Sequence, residues 1–198
     1  MIKTINGIPC YIAVLENPEE GIFDVSLVED PAVRQDFVLF NQDKMNFSVI
    51  SEEERIISGV VMLADTPIYR NSPTLGEYYI MFNKDTLKAL AERLFREGKQ
   101  NNITLEHGES LVEGVTMIEL FIKDESKGIS PSYLQGVTDG SLIASYKVNN
   151  ESLWKEIKEG NFRGFSISGL FTAVPESQPS ELDEVLDLLN QLEGKFLK

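Results

Sequence analysis

The stretch Arg55-Ile56-Ile57-Ser58-Gly59-Val60-Val61-Met62-Leu63 decides the fold class. Its β-branched and other apolar residues are typical of a buried β-strand. Gly59 lies at its centre and predicts a bulge or a sharp bend, as found where a sheet curls into a barrel. The sequence therefore predicts a β-rich fold with a curved sheet.

Shorter segments of the same character lie on both sides of this strand. We predict strands at 11–15, 22–28, 37–40, 47–50, 77–82, 104–107, 111–123, 141–148 and 163–174. Apolar residues at helical spacing predict helices at 87–95 and 150–160. The expected class is α+β and mostly β: a barrel-like antiparallel sheet surrounded by a few helices.

Two segments differ in composition from the rest of the chain. Residues 124–140 are rich in Gly, Pro, Ser and Asp, which predicts a long loop that is functional or mobile. Pro175-Glu176-Ser177-Gln178-Pro179 is a linker by composition. We therefore divide the chain into a domain at 1–174 and a tail at 175–198. The tail contains a leucine-faced helix at 180–192, which would dock on the domain, self-associate or contact a partner.

The composition disfavours several classes of function. The net charge of −14, from 32 acidic and 18 basic residues, repels phosphate backbones and predicts no nucleic-acid partner. One histidine, one cysteine and the absence of a Gly-rich phosphate loop predict no metal and no cofactor. No apolar run is long enough for a membrane helix, and Met1–Asn6 lacks the form of a signal peptide. Cys10, in an apolar strand, is interpreted as a core residue of a protein in a reducing compartment.

The single histidine, His107, and a pair of serines are the candidate chemical groups. His107 follows an apparent strand at 101–106 and precedes Gly108. Gly164-Phe165-Ser166-Ile167-Ser168-Gly169 places hydroxyl residues in an apolar strand. One base and one nucleophile at glycine-flanked strands are what serine hydrolysis requires. The alternative interpretation is that His107 is an ordinary histidine in a surface turn.

Several motifs follow one another in an order that resembles a known family. They are Val25-Ser26-Leu27-Val28-Glu29-Asp30-Pro31-Ala32-Val33, the segment from Gly59 to Arg70, Gly76-Glu77-Tyr78-Tyr79, the segment from Asn101 to His107, and the segment from Lys147 to Phe171. Each motif alone is weak, but their order and spacing resemble phage prohead (capsid maturation) serine proteases of the XkdF type. The resemblance runs from about residue 25 to residue 171.

This resemblance implies a fold and an activity. The fold would be similar to that of the herpesvirus assembly protease, a mostly β barrel surrounded by helices. The activity would be that of a serine endopeptidase that cleaves scaffold protein, major capsid protein and itself inside the assembling prohead, in the host cytoplasm. His107 takes the histidine position of the family and Ser166 the serine position. Ser168 is the alternative nucleophile, because it lies two residues along the same strand face.

The third catalytic group remains open in the sequence. The herpesvirus enzyme uses a second histidine, which this chain lacks. We predict a carboxylate instead and choose Glu119, which interrupts an apolar strand after the His107 turn. It could equally be exposed on an alternating strand, and Glu106, Glu113 and Asp124 are also near in sequence. The Gly-x-Ser-x-Gly elbow of α/β-hydrolases is not met, because its last position is Ser168.

Two further expectations concern the oxyanion and the class of function. Backbone amides around Gly164, or in the segment 124–140, would stabilise the tetrahedral oxyanion. The alternative function is a non-catalytic capsid-assembly or scaffold-binding module on the same fold. An enzyme needs both His107 and Ser166, whereas a binding module needs neither.

Overall fold

A computed structural model of the protein describes residues 2–30 and 46–177. Within these ranges the chain forms twelve β-strands and two α-helices. The strands are β1 (Thr4–Ile5), β2 (Ile8–Val14), β3 (Gly21–Val28), β4 (Ser48–Ser51), β5 (Ile56–Met62), β6 (Ile68–Ser72), β7 (Gly76–Met81), β8 (Ile103–Leu105), β9 (Val115–Ile122), β10 (Leu142–Val148), β11 (Gly164–Leu170) and β12 (Thr172–Pro175). The helices are α1 (Lys84–Arg96) and α2 (Glu151–Glu159). The prediction of a mostly β protein is therefore confirmed.

The described strands form three sheets rather than one closed barrel. The first has the order β1-β2-β7-β6, with β12 also paired to β2. The second has the order β4-β5-β10-β9, and the third the order β11-β3-β8. We predicted an antiparallel sheet, but the pairs β2·β7 and β3·β8 are parallel, so two of the three sheets are mixed. The barrel-like description therefore holds only loosely.

Both predicted helices are present, although α1 begins three residues before the predicted span of 87–95. Asn83 caps α1 by accepting a hydrogen bond from the Thr86 amide at 2.8 Å. This helix buries Leu87, Leu90 and Leu94 in the main core. Asn150 caps α2 in the same way, and Gly160 ends it in the left-handed conformation. No helix in the described ranges is both long enough and apolar enough to cross a membrane.

Gly59 is required for a close backbone contact, not for the predicted bulge. A Cβ atom at this position would lie 2.7 Å from the Cα of Phe47. The irregularity in the pairing of β5 with β10 lies instead opposite the Leu142/Ile143 step. Phe47 in turn packs on Phe165 of β11, with ring centroids 5.3 Å apart. Because Gly59 has no side chain, Phe47 can approach β5 closely and pack against Phe165 of β11.

The segment 124–140 is anchored to the second sheet by buried charges. The Lys123 ammonium, whose side chain is 1% exposed, contacts the carboxylates of Glu125 at 2.7 Å and Asp139 at 2.6 Å. Burial lowers the pKa of Lys123, but these two carboxylates raise it above its usual value overall. Lys84 of α1 also holds Asp124 at 2.7 Å. The predicted long loop is present, and these contacts attach it to the folded body at both of its ends.

The first residues of the predicted linker belong to the folded body. Pro175 pairs with Tyr11 at the end of β12, and Ser177 forms a bridge with Ile2. Glu176 forms a 3.0 Å ion pair with Lys3. The domain therefore extends past the predicted boundary at 174. The predicted strand at 37–40 and the predicted helix at 180–192 lie outside the described residues.

Candidate active site

The three-stranded sheet β11-β3-β8 has one apolar face and one polar face. In the pairing of β11 with β3, Ser166 lies opposite Ser26 and Ser168 opposite Asp24. In the parallel pairing of β3 with β8, Ser26 lies beside Thr104. Residues directly opposite in a sheet project from the same face. Five polar side chains therefore share that face, and together we call them the polar row: Asp24, Ser26, Thr104, Ser166 and Ser168.

The intervening residues of the same strands form the opposite face. Val25 and Leu27 of β3, Ile103 of β8, and Phe165 of β11 are at most 2% exposed and belong to the main core. Packing this face against the rest of the protein fixes the position of all three strands. The polar row is thus held on a rigid support.

His107 reaches the polar row from the turn that follows β8. Glu106 and His107 have φ angles of 47° and 56°, in the left-handed region that non-glycine residues seldom occupy. Two backbone hydrogen bonds, from Glu106 N to Leu27 O and from Gly108 N to Leu105 O, hold this turn. The His107 amide also donates to the Ser26 hydroxyl at 2.7 Å. Consecutive strained residues of this kind are typical of functional sites.

The imidazole of His107 lies between the two candidate serines. Its Nε2 atom is 3.0 Å from the Ser166 hydroxyl, and its Nδ1 atom is 3.1 Å from the Ser168 hydroxyl. Both distances are within hydrogen-bond range. The structure thus brings together the histidine and both serines that the sequence singled out. Ser166 is 4% exposed, whereas Ser168 and His107 are more open to solvent.

Asp24 assigns the direction of these hydrogen bonds. Its Oδ1 atom lies 3.0 Å from the Ser168 hydroxyl, and an ionised carboxylate only accepts hydrogen bonds. Ser168 therefore donates its one proton to Asp24 and accepts from Nδ1–H of His107. A neutral imidazole with its proton on Nδ1 has a free lone pair on Nε2. That lone pair is directed to the hydroxyl of Ser166.

A second chain of hydrogen bonds converges on the same carboxylate. Thr104 donates to Asp24 Oδ1 at 3.0 Å, and its oxygen lies 2.8 Å from the buried hydroxyl of Ser26. Because the Thr104 proton goes to Asp24, Ser26 donates to Thr104 and accepts from the His107 amide. Asp24 therefore orients both the ring and the backbone of His107.

The structure does not join Glu119 to His107. Glu119 lies on β9 in the second sheet, where it pairs with Ser145. Its Oε2 atom is 2.6 Å from the Ser145 hydroxyl, which is 2.9 Å from the hydroxyl of Ser58. Ser58 also contacts the Tyr133 hydroxyl at 2.9 Å. Glu119 thus belongs to a polar network that ties the segment 124–140 to this sheet.

The other three candidate carboxylates have different partners. Glu106 accepts a 2.6 Å hydrogen bond from the amide of Glu29, Glu113 contributes a backbone carbonyl to Asn150, and Asp124 binds Lys84. Asp24 was not among the candidates. The signal that could have found it is the alternation of polar Asp24 and Ser26 in the otherwise apolar strand β3.

No metal-binding cluster accompanies these residues in the described part of the chain. Neither 2–30 nor 46–177 contributes three His, Cys, Asp or Glu side chains close enough to hold a metal ion. Cys10 is buried in the first sheet beside Tyr79 and Met81, where burial raises the pKa of its thiol. The polar row supplies four hydroxyl groups and an orienting carboxylate, and the turn after β8 adds the base His107.

Comparison with known proteins assigns a family. A family model described as "Putative phage serine protease XkdF" matches residues 45–174. A search of curated proteins and a search of solved structures each found no match. The matched residues include β8, the His107 turn and β11, and they cover well over half of the chain. The chain therefore belongs to the XkdF family of phage serine proteases.

Proposed function

We propose that the protein is a serine endopeptidase in which Ser166 is the nucleophile and His107 the general base. The observation that supports this most directly is the 3.0 Å distance between His107 Nε2 and Ser166 Oγ. A serine hydroxyl is a weak nucleophile unless a neighbouring base accepts its proton during attack. The hydrogen bonds that end at Asp24 leave Nε2 unprotonated and so favour Ser166 over Ser168 as the nucleophile.

In the proposed reaction, Ser166 Oγ attacks the carbonyl carbon of the scissile peptide bond while its proton moves to His107 Nε2. The C–N bond then breaks, the leaving amine takes this proton, and Ser166 carries the acyl group. Water, deprotonated by the same nitrogen, releases the acyl group and restores the hydroxyl. His107 becomes an imidazolium during both acylation and deacylation. The negative charge of Asp24 stabilises this imidazolium in both steps, acting through Ser168.

We propose that the substrates are the phage scaffold and major capsid proteins, and the chain itself, during prohead maturation in the host cytoplasm. Membership of a phage serine protease family supports this assignment. The predicted helix at 180–192 would promote self-association or recruitment to scaffold. A capsid-assembly module without catalysis is disfavoured, because simple binding does not need an imidazole between two serines.

Covalent labelling tests the proposed nucleophile. A fluorophosphonate reagent should modify one serine of the folded protein, and fragment-ion spectra should locate the label on Ser166. Fragment ions are needed because Ser166 and Ser168 follow Arg163 within the same tryptic peptide. Heat-unfolded protein is the control and should not react. Label on Ser168 would move the nucleophile by two residues, and unlabelled folded protein would contradict the hydrolase assignment.

Asp24→Asn is expected to lower kcat about 10- to 100-fold and to leave KM nearly unchanged. Asparagine preserves the shape of the side chain but removes the charge that stabilises the imidazolium. Steady-state kinetics on a peptide substrate, together with the melting temperature, measures the effect. Asp65→Asn is a matched control, because Asp65 is exposed in a turn and its side chain forms no hydrogen bond to the polar row or to His107. An equal loss in both variants would show that Asp24 has no positioning role.

A further inference from the structure

A pocket of about 440 Å³ lies directly beside the polar row. It is bounded on one side by β11 and on the other by β6 and β7 of the first sheet. Ile80, Phe82 and Phe171 contribute apolar walls, while Arg70 and Tyr78 contribute polar groups. Most of the residues that line the pocket are apolar, but polar atoms make up about half of its surface, and Arg70 is the one cation among its lining residues.

Ser168 connects this pocket to the proposed catalytic residues. It lines the pocket and also contacts His107 Nδ1. Because residues in a strand rise by about 3.3 Å each, Ser166 lies roughly 7 Å away on the same strand. That spacing matches the separation of side chains two residues apart on one face of an extended peptide. A peptide cleaved at Ser166 would thus place a nearby side chain at the pocket.

Arg70 has capacity for a ligand in this pocket. Its guanidinium donates one hydrogen bond, to the carbonyl of Tyr69 at 2.8 Å, out of five N–H groups. No carboxylate of residues 2–30 or 46–177 forms an ion pair with it, although the whole chain has 32 acidic residues. Arg70 is exposed to solvent at the mouth of the pocket. Partial desolvation by the pocket walls lowers the pKa of its guanidinium, yet an arginine stays charged at neutral pH.

We propose that this pocket selects an acidic side chain, Glu or Asp, at one fixed position of the peptide substrate. The apolar walls would pack the methylene groups, and Arg70 would bind the carboxylate in a charge-assisted, bidentate manner. The proposal rests on the proposed function, since it names a specificity pocket of the same site. Arg70 is then a specificity residue and takes no part in bond breaking.

A cleavage profile of mixed peptides tests this inference. A digest of a whole proteome is incubated with the protein, and mass spectrometry aligns the new termini at the cleaved bonds. Glu and Asp should be enriched at one position. Arg70→Gln should lose this enrichment and should cleave the preferred peptides about 10- to 100-fold more slowly. Arg70→Glu should shift the preference at that position to Lys and Arg.

Matched variants separate this inference from the proposed function. Arg96→Gln changes the net charge equally but lies exposed on α1, so it should keep the wild-type profile. Cleavage without acidic enrichment, or enrichment that persists in Arg70→Gln, would overturn the pocket assignment and leave Ser166 as nucleophile. Absence of all cleavage would overturn the proposed function instead. In that case, immobilised Ser166→Ala protein should still retain acidic peptides from the same mixture, and equal retention of all peptides would contradict the pocket.

Discussion

Ser166→Ala is expected to reduce kcat/KM for peptide cleavage at least ~10³-fold, the largest loss of any single change proposed for this site. The substitution removes the oxygen that forms the acyl intermediate, and no other hydroxyl contacts His107 Nε2 among the described residues. The fold should persist, because alanine fits a buried strand position beside Phe165. Cleavage rates and the melting temperature measure the two effects separately.

Ser168→Ala is the internal comparison for this first prediction. It breaks the link between His107 and Asp24 but keeps the proposed nucleophile. Cleavage should therefore fall less than in Ser166→Ala, and fluorophosphonate labelling of Ser166 should slow without disappearing. The reverse order of activities would assign the nucleophile to Ser168.

His107→Asn should lower kcat/KM by a similar factor, on the order of 10³. The proposed base is lost, so Ser166 must attack without deprotonation. Asparagine is the appropriate replacement because it tolerates the left-handed backbone of this position, with φ at 56°, better than alanine does. The melting temperature should remain close to that of the wild type, since His107 is exposed. Steady-state cleavage and the rate of covalent labelling both report the loss.

Chemical rescue distinguishes a missing base from a damaged site in this second prediction. His107→Gly leaves space next to Ser166, and glycine accepts the backbone conformation of the turn. Added imidazole should then restore part of the labelling rate of Ser166. It should have no effect on Ser166→Ala. Undiminished cleavage by His107→Asn would remove histidine from the mechanism.

Local patterns in the sequence were sufficient to predict the elements whose formation depends on local interactions. The helix α1 follows from the spacing of Leu87, Leu90 and Leu94 and from its Asn83 cap. The resemblance to a phage protease family, confirmed for residues 45–174, placed His107 and Ser166 in one site. The structure brings these two side chains into contact, and their catalytic roles stay a prediction.

Features that depend on strand pairing could not be read from the sequence. Glu119 is near His107 along the chain, but β9 pairs with β10 in a different sheet. Asp24 is more than eighty positions from His107, and the pairings of β3 with both β8 and β11 bring it near. The barrel-like description holds only loosely for the same reason, because strand composition does not specify which edges meet.

The alternation along β11 has a consequence for when the proposed active site can form. Ser166 and Ser168 face the imidazole because Phe165 and Ile167 face the interior. A shift of pairing by one residue would exchange these faces, leaving aromatic and aliphatic groups beside His107. If Ser166 is the nucleophile, as proposed, a newly made chain would not hydrolyse peptides while β11 is misaligned. Correct burial of the interior would then be the step that assembles the proposed active site.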